Sequence, residues 1–230
     1  MSGSNKPPST LVVFDCETQD KIANMPGVDR TDQVSALEVS CLSYQILQST
    51  EIAASPERAA AEAERASVFT LWRDEDETNE GPFERMLKAF DDAELIVSYN
   101  GCGFDHLLLL KYYAGDHARY QEHMVKTHDI FARLREATGF WYKLDNLLRE
   151  NAVPAKTSNG LQAITWWQDG ERELLKEYCE GDVKNLTRLA VKPQLKLPRT
   201  SFRAPNHVFG IASALASVRA SAQLSSAQLS

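Results

Sequence analysis

An unbroken apolar run, Leu11-Val12-Val13-Phe14, gives way abruptly to Asp15-Cys16-Glu17-Thr18. Read as a strand, the run alternates its side chains, so Asp15 and Glu17 share one side while Phe14 and Cys16 share the other. A polar loop, Gln19 to Thr31 with Met25-Pro26-Gly27 inside it, follows. Apolar positions recur at Leu37, Val39 and Cys41 and then at Leu42, Tyr44 and Ile46. This pattern predicts a second strand over Val34 to Leu47, with a bulge at the phase change between Cys41 and Leu42. Glu51 to Ser67 is rich in Ala, Glu and Arg and reads as a short helix or an elaborated hairpin loop outside the core. Ser67 to Trp72 is a third strand, closed by the acidic run Asp74 to Glu77. Three successive strands without long crossovers predict an antiparallel meander.

The period then changes. Phe83, Met86, Leu87 and Phe90 fall at i, i+3, i+4 and i+7, which predicts an amphipathic helix over Pro82 to Ala93. Glu94 to Tyr99 is a buried, central strand running into Asn100-Gly101-Cys102-Gly103, a turn whose glycines permit positive φ. Phe104 to Tyr113 reads as a helix with Asp105 in its first turn. Thr127 to Phe131 is a short strand, Phe140 to Asn151 a helix and Val153 to Gly160 a polar loop carrying Lys156. Glu171 to Val191 is a long helix ended by Pro193 and Pro198. The last twenty residues are Ala/Ser-rich, close with a tandem Ser-Ala-Gln-Leu-Ser, and read as unstructured or weakly helical.

Composition narrows the classes. The 230 residues suit one domain, and 43% hydrophobic with 25% charged residues is a globular balance. No apolar run nears the ~20 residues that span a bilayer. The segment Met1 to Thr10 lacks the apolar core of a secretory signal and reads as a loose arm. Cys16, Cys41, Cys102 and Cys179 are too scattered for a zinc site or a disulfide framework, which implies a reducing, intracellular compartment, cytoplasm or nucleus. Charge is divided along the chain. Residues 1–182 hold 18 basic and 32 acidic side chains, whereas residues 183–230 hold seven basic and no acidic ones. An acidic body needs local basic surface or bound metal to accept a polyanion, and the basic tail is one source of such surface.

The candidate chemistry lies in carboxylates. Asp15 and Glu17 on one strand face repel each other unless a hard divalent cation sits between them. Asp105 follows a strand and a Gly-rich turn, which places it at the carboxyl edge of the sheet, where sites gather. Tyr178 and Asp182, at i and i+4, project from one face of a helix. Singly, Asp105 is a helix cap, Tyr178 a core aromatic and Asp182 a solvated charge. Jointly they are the ingredients of a two-metal phosphoryl-transfer site.

Phe14-Asp15-Cys16-Glu17-Thr18, Asn100-Gly101-Cys102-Gly103-Phe104-Asp105 and Tyr178-Cys179-Glu180-Gly181-Asp182 resemble, in order, the three motifs of the DEDD superfamily of 3′-to-5′ exonucleases. Glu177, where the histidine branch has His, points to the tyrosine branch. The second motif and the stretch from Lys156 through Gly160-Leu161 and Trp166-Trp167 to Tyr178 and Asp182 are similar to the proofreading domain of family B DNA polymerases and its stand-alone relatives. The resemblance runs from Leu11 to Leu189; the 51–67 segment reads as an insertion and the basic tail has no counterpart. It implies an α/β, ribonuclease H-like fold with a mixed five-stranded sheet flanked by helices and an exonuclease domain over 11–200; composition leaves an arm over 1–10 and a basic, then Ala/Ser-rich, unstructured tail over 201–230. It further implies two Mg2+ or Mn2+ ions held by Asp15, Glu17, Asp105 and Asp182, with Tyr178 orienting the attacking water. Asn100 and Phe104 would hold the terminal nucleotides of a single-stranded 3′ end, DNA favoured, in a freestanding repair, processing or degradation enzyme with no membrane partner. Two alternatives stay open: a 3′-to-5′ exoribonuclease, and a nucleic-acid-binding module of the same fold without catalysis. Lys156, Lys184 and Arg188 are weaker candidates for phosphate contacts, Asp129 reads as structural, and Cys16, Cys102 and Cys179 read as small core residues.

Overall fold

The computed structural model describes residues 9–22, 26–75, 79–154, 160–198 and 210–216. Five strands, β1 (Thr10–Thr18), β2 (Val39–Gln48), β3 (Val68–Trp72), β4 (Ala93–Ser98) and β5 (Thr127–Asp129), form one sheet in the order β3-β2-β1-β4-β5. β1, β2 and β3 make the expected antiparallel meander, while β4 lies parallel to β1 and β5 parallel to β4. β4 is buried in the sheet interior between β1 and β5, as expected, and β1 is the middle strand. Layers cover both its faces, which is why Leu11, Val12 and Val13 are all fully buried and the apolar run is continuous rather than alternating.

One face carries Val12, Phe14 and Cys16 against α4 (Glu84–Asp92), α5 (Asp105–Leu109) and α6 (His117–Lys126). The other carries Leu11 and Val13 against α7 (Ile130–Thr138), α8 (Leu144–Glu150) and the long α10 (Arg172–Ala190). α9 (Gly160–Asp169) adds Ala163 to a smaller cluster with Cys41, Leu175 and Cys179. The strand expected over Thr127 to Phe131 stops at Asp129, whose side chain caps α7, so Ile130 and Phe131 are helical instead. α6 and α9 had no sequence expectation.

Several expectations are corrected. The start of the predicted second strand is instead a helix, α1 (Arg30–Ser35), capped by Asp29, whose carboxylate accepts the Thr31 N–H at 2.8 Å. Val34 and Leu37 are spaced by three, which suits a helical turn better than a strand. The bulge is present but falls at Ser40: Glu17 pairs with Cys41 and Thr18 with Val39. This extra residue lets Val39 face the same layer as Leu42 and Tyr44 while Cys41 faces α10's side. The 51–67 segment is helical, the first of its two readings, but it does not lie outside the core. It contributes to two helices, α2 (Ser49–Ala54) and α3 (Pro56–Arg65), and Ile52, Ala59 and Ala63 join the core. Small side chains let α3 approach closely, and they are hard to see among its charges. The predicted 104–113 helix tightens to 3-10 geometry at Leu110–Tyr113.

The C-terminal expectation also changes. Residues 211–216 are helical, with Ile211 and Leu215 buried in the core beside α10. The rest of the expected tail, 201–209 and 217–230, lies outside the described residues. So do residues 1–8 of the arm. Its end is tied down, for the Ser9 carbonyl accepts both the N–H and the hydroxyl of Ser49. No helix among the described residues is long and apolar enough to cross a membrane.

Candidate active site

Strand period puts Asp15 and Glu17 on the same side of β1 as Leu11 and Val13, the side that α10 covers. α10 is seated against β1 by Cys179, fully buried, whose thiol lies 3.6 Å from the Asp15 carbonyl oxygen. One residue before and three after it stand Tyr178 and Asp182, both nearly inaccessible. The outcome is convergence: carboxylate oxygens of Asp15, Glu17 and Asp182 all lie within 4.8 Å of one another. Glu17 and Asp182 are buried and Asp15 half-buried. Three carboxylates so close repel strongly, the more so away from bulk water. The residues fit a cation. Every donor is a carboxylate oxygen, the choice of a hard divalent ion, and the separation matches two ligands bound across one ion at about 2.0–2.5 Å.

Asp105 stands apart from this trio while lining the same cleft. As the first residue of α5, it accepts the Cys16 N–H through Oδ1 at 3.0 Å, which pins the helix start between Asp15 and Glu17. Burial raises its pKa to about 7; the Asp129 carboxylate pushes the same way and the Cys16 N–H opposes.

The turn before it works differently from the sequence expectation. Positive φ belongs to Asn100, at 64°, and not to Gly101 or Gly103. Gly101 is needed for space, since a Cβ there would lie 2.5 Å from the Ser98 Cβ. Asp129 holds the turn from below: its carboxylate accepts from the N–H groups of Asn100 (2.8 Å), Cys102 (3.0 Å) and Ala132 (3.2 Å). That is the structural role read for it.

A cleft of about 690 Å³ opens over these groups, lined by Asp15, Glu17, Asn100, Phe104, Asp105 and Tyr178. Asp182 joins them through its contact with Asp15 and Glu17. α9 supplies the facing wall through Leu161 and Ile164, and its Trp166 lies 5.9 Å from the Tyr178 ring. Two cations on the rim, Lys21 and Arg30, were missed. A signal existed: both flank the loop that leaves the carboxylate strand, so they return to the same sheet edge. The cations weighed instead do not line it. Arg188 holds Glu64 on α3 through bonds of 2.6 and 2.7 Å, and Lys184 pairs with Glu180. Lys156 lies outside the described residues. Burial and neighbouring carboxylates push the Cys16 thiol up, as suits an unreactive core group; Cys102, taken to about 12 chiefly by burial, is only half-buried and lines a groove rather than the core it was read into.

Residues 59–193 match a family model described as the RNase_H superfamily. No curated protein matches the chain. Among solved structures it is similar to the family B DNA polymerase from the hyperthermophilic archaeon Pyrobaculum calidifontis, at 18% identity over 80% of this chain and 24% of that one, with a TM-score of 0.48. E. coli exonuclease I in complex with a 5cy-dT13 oligonucleotide aligns at 14% identity over 72% of this chain and 42% of that one, TM-score 0.39. A product-bound exonuclease I aligns at 12% identity over 78% and 46%, TM-score 0.41. The chain thus spans less than half the length of each of these proteins.

Proposed function

The chain belongs to the RNase_H superfamily, and from that premise we propose that it is a divalent-metal-dependent 3′-to-5′ exonuclease of the tyrosine-bearing DEDD branch, acting on single-stranded ends with DNA favoured. The observation that carries the reading is the convergence of Asp15, Glu17 and Asp182 to within 4.8 Å beside Asp105 and Tyr178. The catalytic unit runs from residue 11 through at least residue 216, because Ile211 and Leu215 complete its core.

Asp15, Glu17 and Asp182, with Asp105, are the residues that would hold Mg2+ or Mn2+. A divalent ion bound there supplies charge neutralisation and a water that is nucleophilic at neutral pH. The chain does the rest. Tyr178, a turn before Asp182, orients the attacking water by hydrogen bonding. Asn100 hydrogen-bonds the terminal nucleotide and Phe104 stacks against its base. Lys21 and Arg30 meet the backbone phosphates, giving an acidic protein the local positive charge a polyanion requires.

The test is a time course on 5′-labelled single-stranded DNA and the matching RNA with Mg2+, Mn2+ or EDTA. The expected result is a ladder shortening from the 3′ end, faster on DNA, abolished by EDTA and by Asp15→Ala or Asp182→Ala in folded protein. Turnover that survives EDTA or either substitution overturns the mechanism, and a faster RNA ladder reassigns the substrate.

A further inference from the structure

Beyond the cleft, on the far side of Asn100, lies a second groove of about 510 Å³, lined by Asn100, Cys102, Phe131, Arg135 and Glu136 among others. At its edge stands Trp141, 68% exposed, although an indole of this size is ordinarily covered in a folded chain. The ring is held in place. Phe131 meets it edge to face at 5.3 Å, and the Arg135 guanidinium lies 4.3 Å over it. Phe131 in turn meets Tyr99 at 5.8 Å, so three aromatic rings step outward from the end of β4.

The backbone is tethered as well. The Tyr99 hydroxyl donates to the Tyr142 carbonyl at 2.6 Å, and burial holds its pKa well above the usual phenol value, so the donor proton is retained. Tyr99 itself lines the catalytic cleft. Gly139, at φ 76°, ends α7 and turns the chain toward Trp141. Charge points the same way. Arg133 takes up Glu136 at 3.4 Å, and among the described residues no carboxylate pairs with Arg135.

From this arrangement we infer that Trp141, with Arg135 and Phe131, forms a stacking platform for the nucleotides that precede the 3′ end of a bound single strand. The inference rests on the proposed exonuclease reading and extends it to a second, upstream subsite. The strand leaves the cleft past Asn100, which lines both hollows, and one of its bases stacks on the indole while Arg135 meets a phosphate. Stacking reads the face that every base has, so the platform confers grip and length dependence rather than sequence preference.

The experiment measures binding of 5′-fluorescein, phosphorothioate-linked oligothymidylates by anisotropy in Mg2+, comparing a dinucleotide with a strand of about eight nucleotides. Wild-type protein should bind the longer strand more tightly. Trp141→Ala should weaken the longer strand about tenfold and the dinucleotide much less, Trp141→Phe should recover part of the loss, and Arg135→Gln should flatten the salt dependence. A wild type that prefers the longer strand together with a Trp141→Ala variant that binds it equally well overturns the platform alone. A wild type that binds neither strand overturns the exonuclease reading and the platform with it. Trp141 is largely exposed, so its replacement leaves the fold standing.

Discussion

Replacing Asp129 by Asn tests whether one buried carboxylate organises the turn beneath the cleft. Oδ1 of Asp129 takes the N–H groups of Asn100 and Ala132, Oδ2 that of Cys102, and the residue is only 4% exposed. In Asp129→Asn the remaining oxygen can serve two of these donors, while the new NH2 group confronts the third, donor against donor. A hydrogen bond to a charged group is worth about 1.5–3 kcal/mol net, and an unmatched buried donor costs about 1–3 kcal/mol more. Part of that is returned, because losing the charge relieves repulsion of Asp105. The balance is a destabilisation of about 2–4 kcal/mol, or a fall in Tm of about 5–15 °C for a chain of this size. Urea unfolding of the metal-free protein, followed by circular dichroism, reads the first figure directly. Asn100 sits in the left-handed region, which costs an ordinary residue about 1–2 kcal/mol, so a loosened turn should relax there and raise KM for the strand. An unfolding free energy within about 0.5 kcal/mol of wild type would show that the turn stands without this carboxylate, and would refute the reasoning.

Gly101→Ala should destabilise by about 1–3 kcal/mol, since its Cβ would meet Ser98 at 2.5 Å, and adding Ser98→Gly should recover part of the loss. Wild-type stability in the single variant would discard the close-approach account. Either Ile211→Ala or Leu215→Ala should cost about 2–5 kcal/mol in chemical denaturation, because both side chains are fully buried; no change would mean this helix is dispensable. His106, packed against Phe14, has its pKa lowered by burial to about 3. The unfolded chain therefore binds the proton first, near the usual ~6.5, so the stability this histidine contributes is full above that pH and drains away as pH falls toward 3. His106→Gln should remove about 1.4 kcal/mol per pH unit from the slope of stability between about pH 6 and 4, read from urea midpoints in EDTA; an unaltered slope would exclude His106 as the source.

What was legible in the chain follows from how local a signal is. Period two alone puts Asp15 and Glu17 on one side of a strand, and period 3.6 alone puts Tyr178 and Asp182 on one side of a helix, because neighbouring backbone dihedrals set both. The meander, the α4 helix and the motif order were readable for the same reason. Where apolar periodicity was thin, in α3 with its alanines and in the short α6 and α7, the pattern disappeared among charges, and packing from elsewhere in the chain decided the outcome. Asn100 rather than a glycine carries the positive φ because Asp129, twenty-nine residues on, holds its N–H. Arg188 was lost as a phosphate contact to Glu64 on α3, a partner 124 residues distant. That β1 lies in the middle of the sheet, that three carboxylates meet within 4.8 Å, that burial raises the pKa of Asp105, and that Lys21 and Arg30 line the cleft while Trp141 stands beside the second groove are likewise matters of tertiary structure. Distance and desolvation between residues far apart in sequence exist only once the layers have packed, and no local periodicity encodes them.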